Sequence, residues 1–198
     1  MALFCYFCNN MKAAYIFLAD GFEEIEALAT NDVLRRGGVV TKLVSLTDDP
    51  TVVSSHGVTL QAELSLRALP ALTADDVMIF PGGMPGSKNL AACTELTGLM
   101  KKHHAAGGTV AAICAAPGLV LSQLDADALA GASFTCFEGF QDALLAKGAV
   151  YTPAPAVRSG RIVTGRSAGH AVAFGLEILR GIRGDACAEE VRHAMFLD

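Results

Sequence analysis

The sequence predicts an α/β fold, a mostly parallel sheet with helices on both faces. Apolar runs of strand length recur, helix-length segments alternate with them, and sharp turns rich in small residues follow the strands. Residues 13–19 (AAYIFLA) read as a parallel strand buried on both faces. Asp20-Gly21 turns the chain into a helix over residues 22–36, ended by Gly37-Gly38. Residues 39–46 are the next strand, and 51–62 form a hairpin-like excursion around Ser55-His56-Gly57. A short strand at 77–80 runs into Pro81-Gly82-Gly83. One helix then spans 87–104 with Ser87 as its N-cap. Residues 109–113 are a buried strand and 115–124 its helix. Strands at 132–137 and 162–164 and helices at 171–180 and 186–195 close the chain.

A chain of 198 residues, 52% hydrophobic and 18% charged, fits a single domain with a substantial core. Residues 11–198 are taken as that domain. Residues 1–10 (MALFCYFCNN) are taken as an extension outside it, without the basic n-region or cleavage site of a secretory signal. Cys5 and Cys8 form a C-x-x-C with no second ligand pair nearby. The net charge of −5, with no basic stripe, argues against nucleic acid as a partner. The longest apolar runs are too short to span a bilayer. The scattered cysteines 93, 114, 136 and 187 read as reduced thiols of a cytoplasmic protein.

In parallel sheets, ligands bind beyond the carboxyl ends of the strands. Three turns fall at that edge. Cys114 follows a strand and precedes a helix within AAICAAPG, so small neighbours allow a sharp elbow that exposes its side chain. The helix N–H groups beside the sulfur favour thiolate. A buried structural cysteine is the competing reading; the position favours function. Glu26 falls on one helical stripe with Ile25, Ala29 and Val33, whereas Glu23 and Glu24 point toward flank and solvent. Two readings stay open for Glu26: a carboxylate reaching water at the stripe's end, or a buried carboxyl that faces Cys114 and moves protons. Pro81-Gly82-Gly83 supplies either an oxyanion-binding backbone or only a tight turn.

These segments, DGFEEIE at 20–26, FPGG at 80–83 and AAICAAP at 111–117, together with GRSAG at 165–169, resemble the ThiJ/PfpI family. That family includes the parkinsonism-associated deglycase and belongs to the class I glutamine amidotransferase-like superfamily. The resemblance implies a flavodoxin-like three-layer sandwich and a homodimer. It makes Cys114 the nucleophile and oxidation-sensitive thiol, Glu26 its protonated partner, and the backbone at Gly82, Gly83 and Ala115 the oxyanion and substrate-binding site. It implies conversion of glyoxals to hydroxy acids or repair of glycation adducts without metal or cofactor, with redox sensing or chaperoning as the alternative.

The chain departs from relatives that carry an active-site histidine, since Cys136-Phe137-Glu138 stands about there. Ala115 follows the nucleophile where the peptidase-like branch has histidine, and the late H-x-E of amidotransferases is missing. Amide hydrolysis therefore ranks last. His103 and His104 read as cations at a helix end, and His170 as a pocket-lining residue at the sheet edge.

Overall fold

The computed structural model describes residues 13–197, so the extension at 1–10, with Cys5 and Cys8, lies outside the described residues. The chain runs β1 (Ala13–Leu18), α1 (Glu24–Arg36), β2 (Val40–Ser45), the hairpin β3 (Thr51–Val53) and β4 (Thr59–Gln61), and β5 (Leu64–Ser65). Next come β6 (Val77–Phe80), α2 (Gly86–Ala92), α3 (Thr94–Ala105), β7 (Thr109–Ile113) and the short helices α4 (Ala116–Leu119) and α5 (Ala126–Leu129). It closes with β8 (Ser133–Phe134), α6 (Asp142–Leu145), β9 (Val150–Tyr151), β10 (Ala156–Ser159), β11 (Ile162–Gly165), α7 (Ala171–Arg183) and α8 (Asp185–Ala194).

Seven strands form one sheet in the order β10-β11-β7-β6-β1-β2-β5. Every pairing in it is parallel except β10 with β11. The three-layer form follows from the two-residue period of its strands. In β1, Ala14, Ile16 and Leu18 join Val33, Leu34, Phe174 and Leu179 in a core beneath α1 and α7. Tyr15 and Phe17 turn to the other face and pack with Phe80, Leu90, Leu96 and Met100 beneath α2 and α3. Strands β6 and β7 alternate in the same way, which is why these runs are apolar throughout. Phe17 and Phe80 stack with centroids 5.5 Å apart across the central pair. The sequence-predicted sandwich is the observed one. Among the described residues, no helix is long and apolar enough to cross a membrane.

Several local expectations fail for identifiable reasons. The helix expected over 87–104 is broken at Cys93, whose backbone is extended; the freed Ala91 carbonyl accepts from Gln123 Nε2 at 2.8 Å. Ser87 is no N-cap. The helix starts at Gly86, whose N–H donates to Gly21 O, and the buried Ser87 hydroxyl turns back toward Pro81 O. The strand expected over 132–137 ends at Phe134, because Thr135 N–H donates to the Thr164 hydroxyl and Phe137 N–H to Cys114 O, away from any ladder. The helix expected over 115–124 is the single turn α4 followed by a 3₁₀ turn at Leu121–Gln123.

In α1 the inner face is Glu26, Ala27, Thr30, Val33 and Leu34, while Ile25 is 56% exposed. Gly175 of α7 approaches Val33 and Thr30 closely enough that an added Cβ would lie 3.0 Å from Val33 Cβ, and this contact rotates the stripe away from Ile25. His103 is buried with Nε2 3.1 Å from Asp76 O. Burial lowers its pKa and that of His104, so neither is a helix-end cation.

Candidate active site

Three adjacent central strands deliver the site. The chain leaves β1 toward β2 and later returns to β6 on the opposite side of β1, which makes the β1–β6 crevice the switch point where doubly wound sheets bind ligands. Beyond the carboxyl ends of β1, β6 and β7 stand Glu26, Gly82 and Cys114.

Cys114 has φ 65°, one of two left-handed non-glycine residues among those described. A side chain in that region costs about 1–2 kcal/mol. The surroundings hold it there: Cys114 N–H donates to Gly165 O at 3.0 Å, Phe137 N–H donates to Cys114 O at 2.8 Å, and the flanking Ile113 and Ala115 are buried. The elbow turns the half-buried sulfur toward the N–H groups of Ala115 and Gly83.

Glu26 is 1% exposed in the first turn of α1. Gly82 N–H donates to its Oε2 at 2.6 Å, and Glu23 N–H donates to Gly82 O at 3.0 Å, so the start of α1 is stitched to the end of β6. A glycine is required at Gly82 for space: an added Cβ would lie 2.6 Å from both Cys114 Cβ and Glu26 Oε2. Gly83 has φ 86° and packs on the Glu23 backbone, which excludes a Cβ there too.

Burial pushes the Glu26 carboxyl up to about 7; the Gly82 N–H and the Cys114 sulfur oppose that rise, and the charge of Glu23 adds to it. Burial, followed by the negative charge of Glu26, pushes the Cys114 thiol up to about 12, against the N–H groups of Ala115 and Gly83. The thiolate expected from the helix terminus is therefore disfavoured while Glu26 is ionised. A proton on Glu26 removes the opposing charge, so the titrations of the two groups are coupled. Glu26 Oε2 accepts from Gly82, whereas the buried Oε1 has no hydrogen-bond partner.

Glu23 was expected to point away and instead is buried, its Oε2 accepting Glu26 N–H at 2.7 Å as the α1 N-cap. The signal was an acid three residues before Glu26, the spacing of a capping pair. His170 lies at the start of α7 with Nδ1 2.9 Å from Ser167 Oγ. Gly165 and Phe137, which fix the elbow through backbone atoms, carry no sequence signal for that role.

The DJ-1/PfpI family model matches residues 12–181. The chain belongs to this family. It is 32% identical to Protein DJ-1 homolog A of Arabidopsis thaliana over 94% of this chain, and spans about half, 47%, of that relative's length. It is 32% identical to the glutathione-independent glyoxalase of Caenorhabditis elegans, over 87% of this chain and 90% of the relative. The solved structure of oxidized Toxoplasma gondii DJ-1 matches with a TM-score of 0.85 at 28% identity, covering 93% of this chain and 98% of that one.

Proposed function

We propose that this DJ-1/PfpI protein is a cofactor-independent, cysteine-dependent enzyme of small α-oxoaldehydes, converting methylglyoxal to lactate. The buried Glu26 carboxyl against the Cys114 sulfur carries this reading, and the C. elegans relative named a glyoxalase supports it. In the first step the Cys114 sulfur forms a C–S bond to the aldehyde carbon. The thiol proton passes to the Glu26 carboxylate, the carbonyl π electrons move to oxygen, which faces the N–H groups of Gly83 and Ala115, and Glu26 delivers that proton to the oxygen. Gly82, whose N–H is bound to Glu26, positions the carboxyl rather than the oxyanion. Glu26, again a carboxylate, takes the C–H proton of the hemithioacetal, the hydroxyl proton moves to the former ketone oxygen through the enediol, and Glu26 returns its proton to the neighbouring carbon, leaving the thioester carbonyl. The resulting thioester is hydrolysed by water, releasing lactate and the thiol. Overall, methylglyoxal and water give lactic acid, with no external oxidant or reductant. His170 is retained as a residue of the pocket wall.

The test is chromatography of methylglyoxal incubated with the protein in the absence of glutathione. Lactate formation is expected; unchanged methylglyoxal would refute the reading.

The oxidized state of the T. gondii structure favours a second reading, in which the same cysteine senses peroxide. Under it, mass spectrometry after mild peroxide should show Cys114 oxidised before Cys93, Cys136 and Cys187. Cys136 is fully buried with its thiol pushed up to about 11, and serves as the internal reference. A spared Cys114 rejects this role.

We also infer a cytoplasmic homodimer. Ile25 and Leu28 lie one turn apart on α1 at 56% and 37% exposure, and Val53 on the adjoining hairpin is 39% exposed. These apolar groups suit cover by a second copy, and light scattering should return twice the chain mass.

A further inference from the structure

Outside the cysteine site, Glu23, Glu24 and His56 meet where the β3–β4 turn crosses the first turn of α1. One donor atom from each lies within 4.8 Å of the others. The crossing is fixed by backbone bonds that involve none of the three side chains. Gly21 N–H donates to Val53 O at 2.8 Å, Ser55 N–H donates to Phe22 O at 2.7 Å, and Phe22 bridges Ser54.

His56 and Glu24 form a hydrogen-bonded ion pair whose spacing is also close to that of two ligands on one metal ion. His56 Nδ1 is 3.0 Å from Glu24 Oε1 and 3.1 Å from Oε2. A tetrahedral zinc ion with nitrogen and oxygen ligands at about 2.0–2.1 Å places its donors about 3.3 Å apart. The histidine and Glu24 already stand near that separation, and only Glu23 has to close in. Glu23 keeps its capping bond through Oε2, which leaves Oε1 as the donor. Burial is graded across the cluster: Glu23 is buried, the Glu24 side chain is 17% exposed and the His56 side chain 68%. The carboxylates form the inner wall and the imidazole the entrance.

Charge points the same way. Two carboxylates carry two negative charges, the imidazole gives up on ligation any proton it holds against Glu24, and the α1 N-terminus offsets about half of one charge. A divalent cation neutralises most of the remainder. One imidazole and two carboxylates suit zinc, cobalt or nickel better than magnesium or calcium, which prefer oxygen-only shells.

We propose that Glu23, Glu24 and His56 bind one divalent transition-metal ion, with a fourth position open to water. Glu24 and His56 are 32 residues apart, with none of the short spacings that make metal motifs legible in a sequence.

The probe is Co²⁺ titrated into the full chain, followed by visible absorption and calorimetry. One ion per chain is expected, with tetrahedral d–d bands, no sulfur charge-transfer band and displacement by Zn²⁺. His56→Asn at the entrance and Glu24→Gln beside it should each weaken binding by at least about tenfold. Cys114→Ser, and a Cys5→Ser/Cys8→Ser double variant, should leave it unchanged. Three results overturn the proposal: no saturable binding, binding unaffected by His56→Asn with circular dichroism intact, or a sulfur band that vanishes with any of these cysteines.

Discussion

Cys114→Ser should abolish lactate formation from methylglyoxal while leaving the fold in place. The hydroxyl of serine is a far weaker nucleophile than the sulfur, and no other group faces the same donors. Loss of a nucleophile costs about three orders of magnitude or more. Serine occupies nearly the same space, and the backbone bonds from Cys114 to Gly165 and from Phe137 to Cys114 do not involve the side chain. Thermal unfolding of the variant should therefore track that of the native protein. Equal lactate from both would show that the cysteine is not the reacting group.

Glu26→Gln should lower kcat by about 10²–10⁴, the usual contribution of a positioned proton-transfer group. It should change stability in the opposite direction. In the unfolded chain the carboxyl loses its proton near 4.5, and in the folded protein only near 7. Between those values the folded protein holds a proton that the unfolded chain has released, so stability falls as pH rises through this window. Above it the full cost is present, about 3 kcal/mol. Glutamine is neutral throughout and its side-chain carbonyl can still accept from Gly82 N–H. The variant should therefore be more stable than the native protein at pH 8, by up to about 3 kcal/mol, and about equal to it at pH 4. Urea unfolding at the two pH values measures this. A variant that is less active and also less stable at pH 8 would mean that Glu26 is an ionised structural anchor, and the proton-shuttle role would fall.

Much of this site was legible because it is made of local signals. Residues 13–19, 77–80 and 109–113 are apolar throughout since both faces of β1, β6 and β7 are covered, and that pattern fixes a parallel sheet. Small residues around Cys114 foretold the elbow, now seen as φ 65°. What stayed hidden depends on partners distant in sequence. The break at Cys93 is completed by Gln123, the early end of β8 by Thr164, and the rotation of the α1 stripe by Gly175. Edge strand β10 is half exposed and follows Pro153 and Pro155, so it lacks the continuous apolar run that marks β6. The thiol of Cys114 could not be assigned from the helix terminus alone, because its burial and then a carboxyl two strands away raise its pKa.

The single bond from Gly82 N–H to Glu26 Oε2 has a stereochemical consequence. It holds the carboxyl beside the sulfur, and a side chain at Gly82 would strike both groups. In the proposed reaction a planar enediol tethered to Cys114 would receive its proton from the face that Glu26 occupies. The lactate released would carry a single handedness, set by a backbone amide that never touches the substrate.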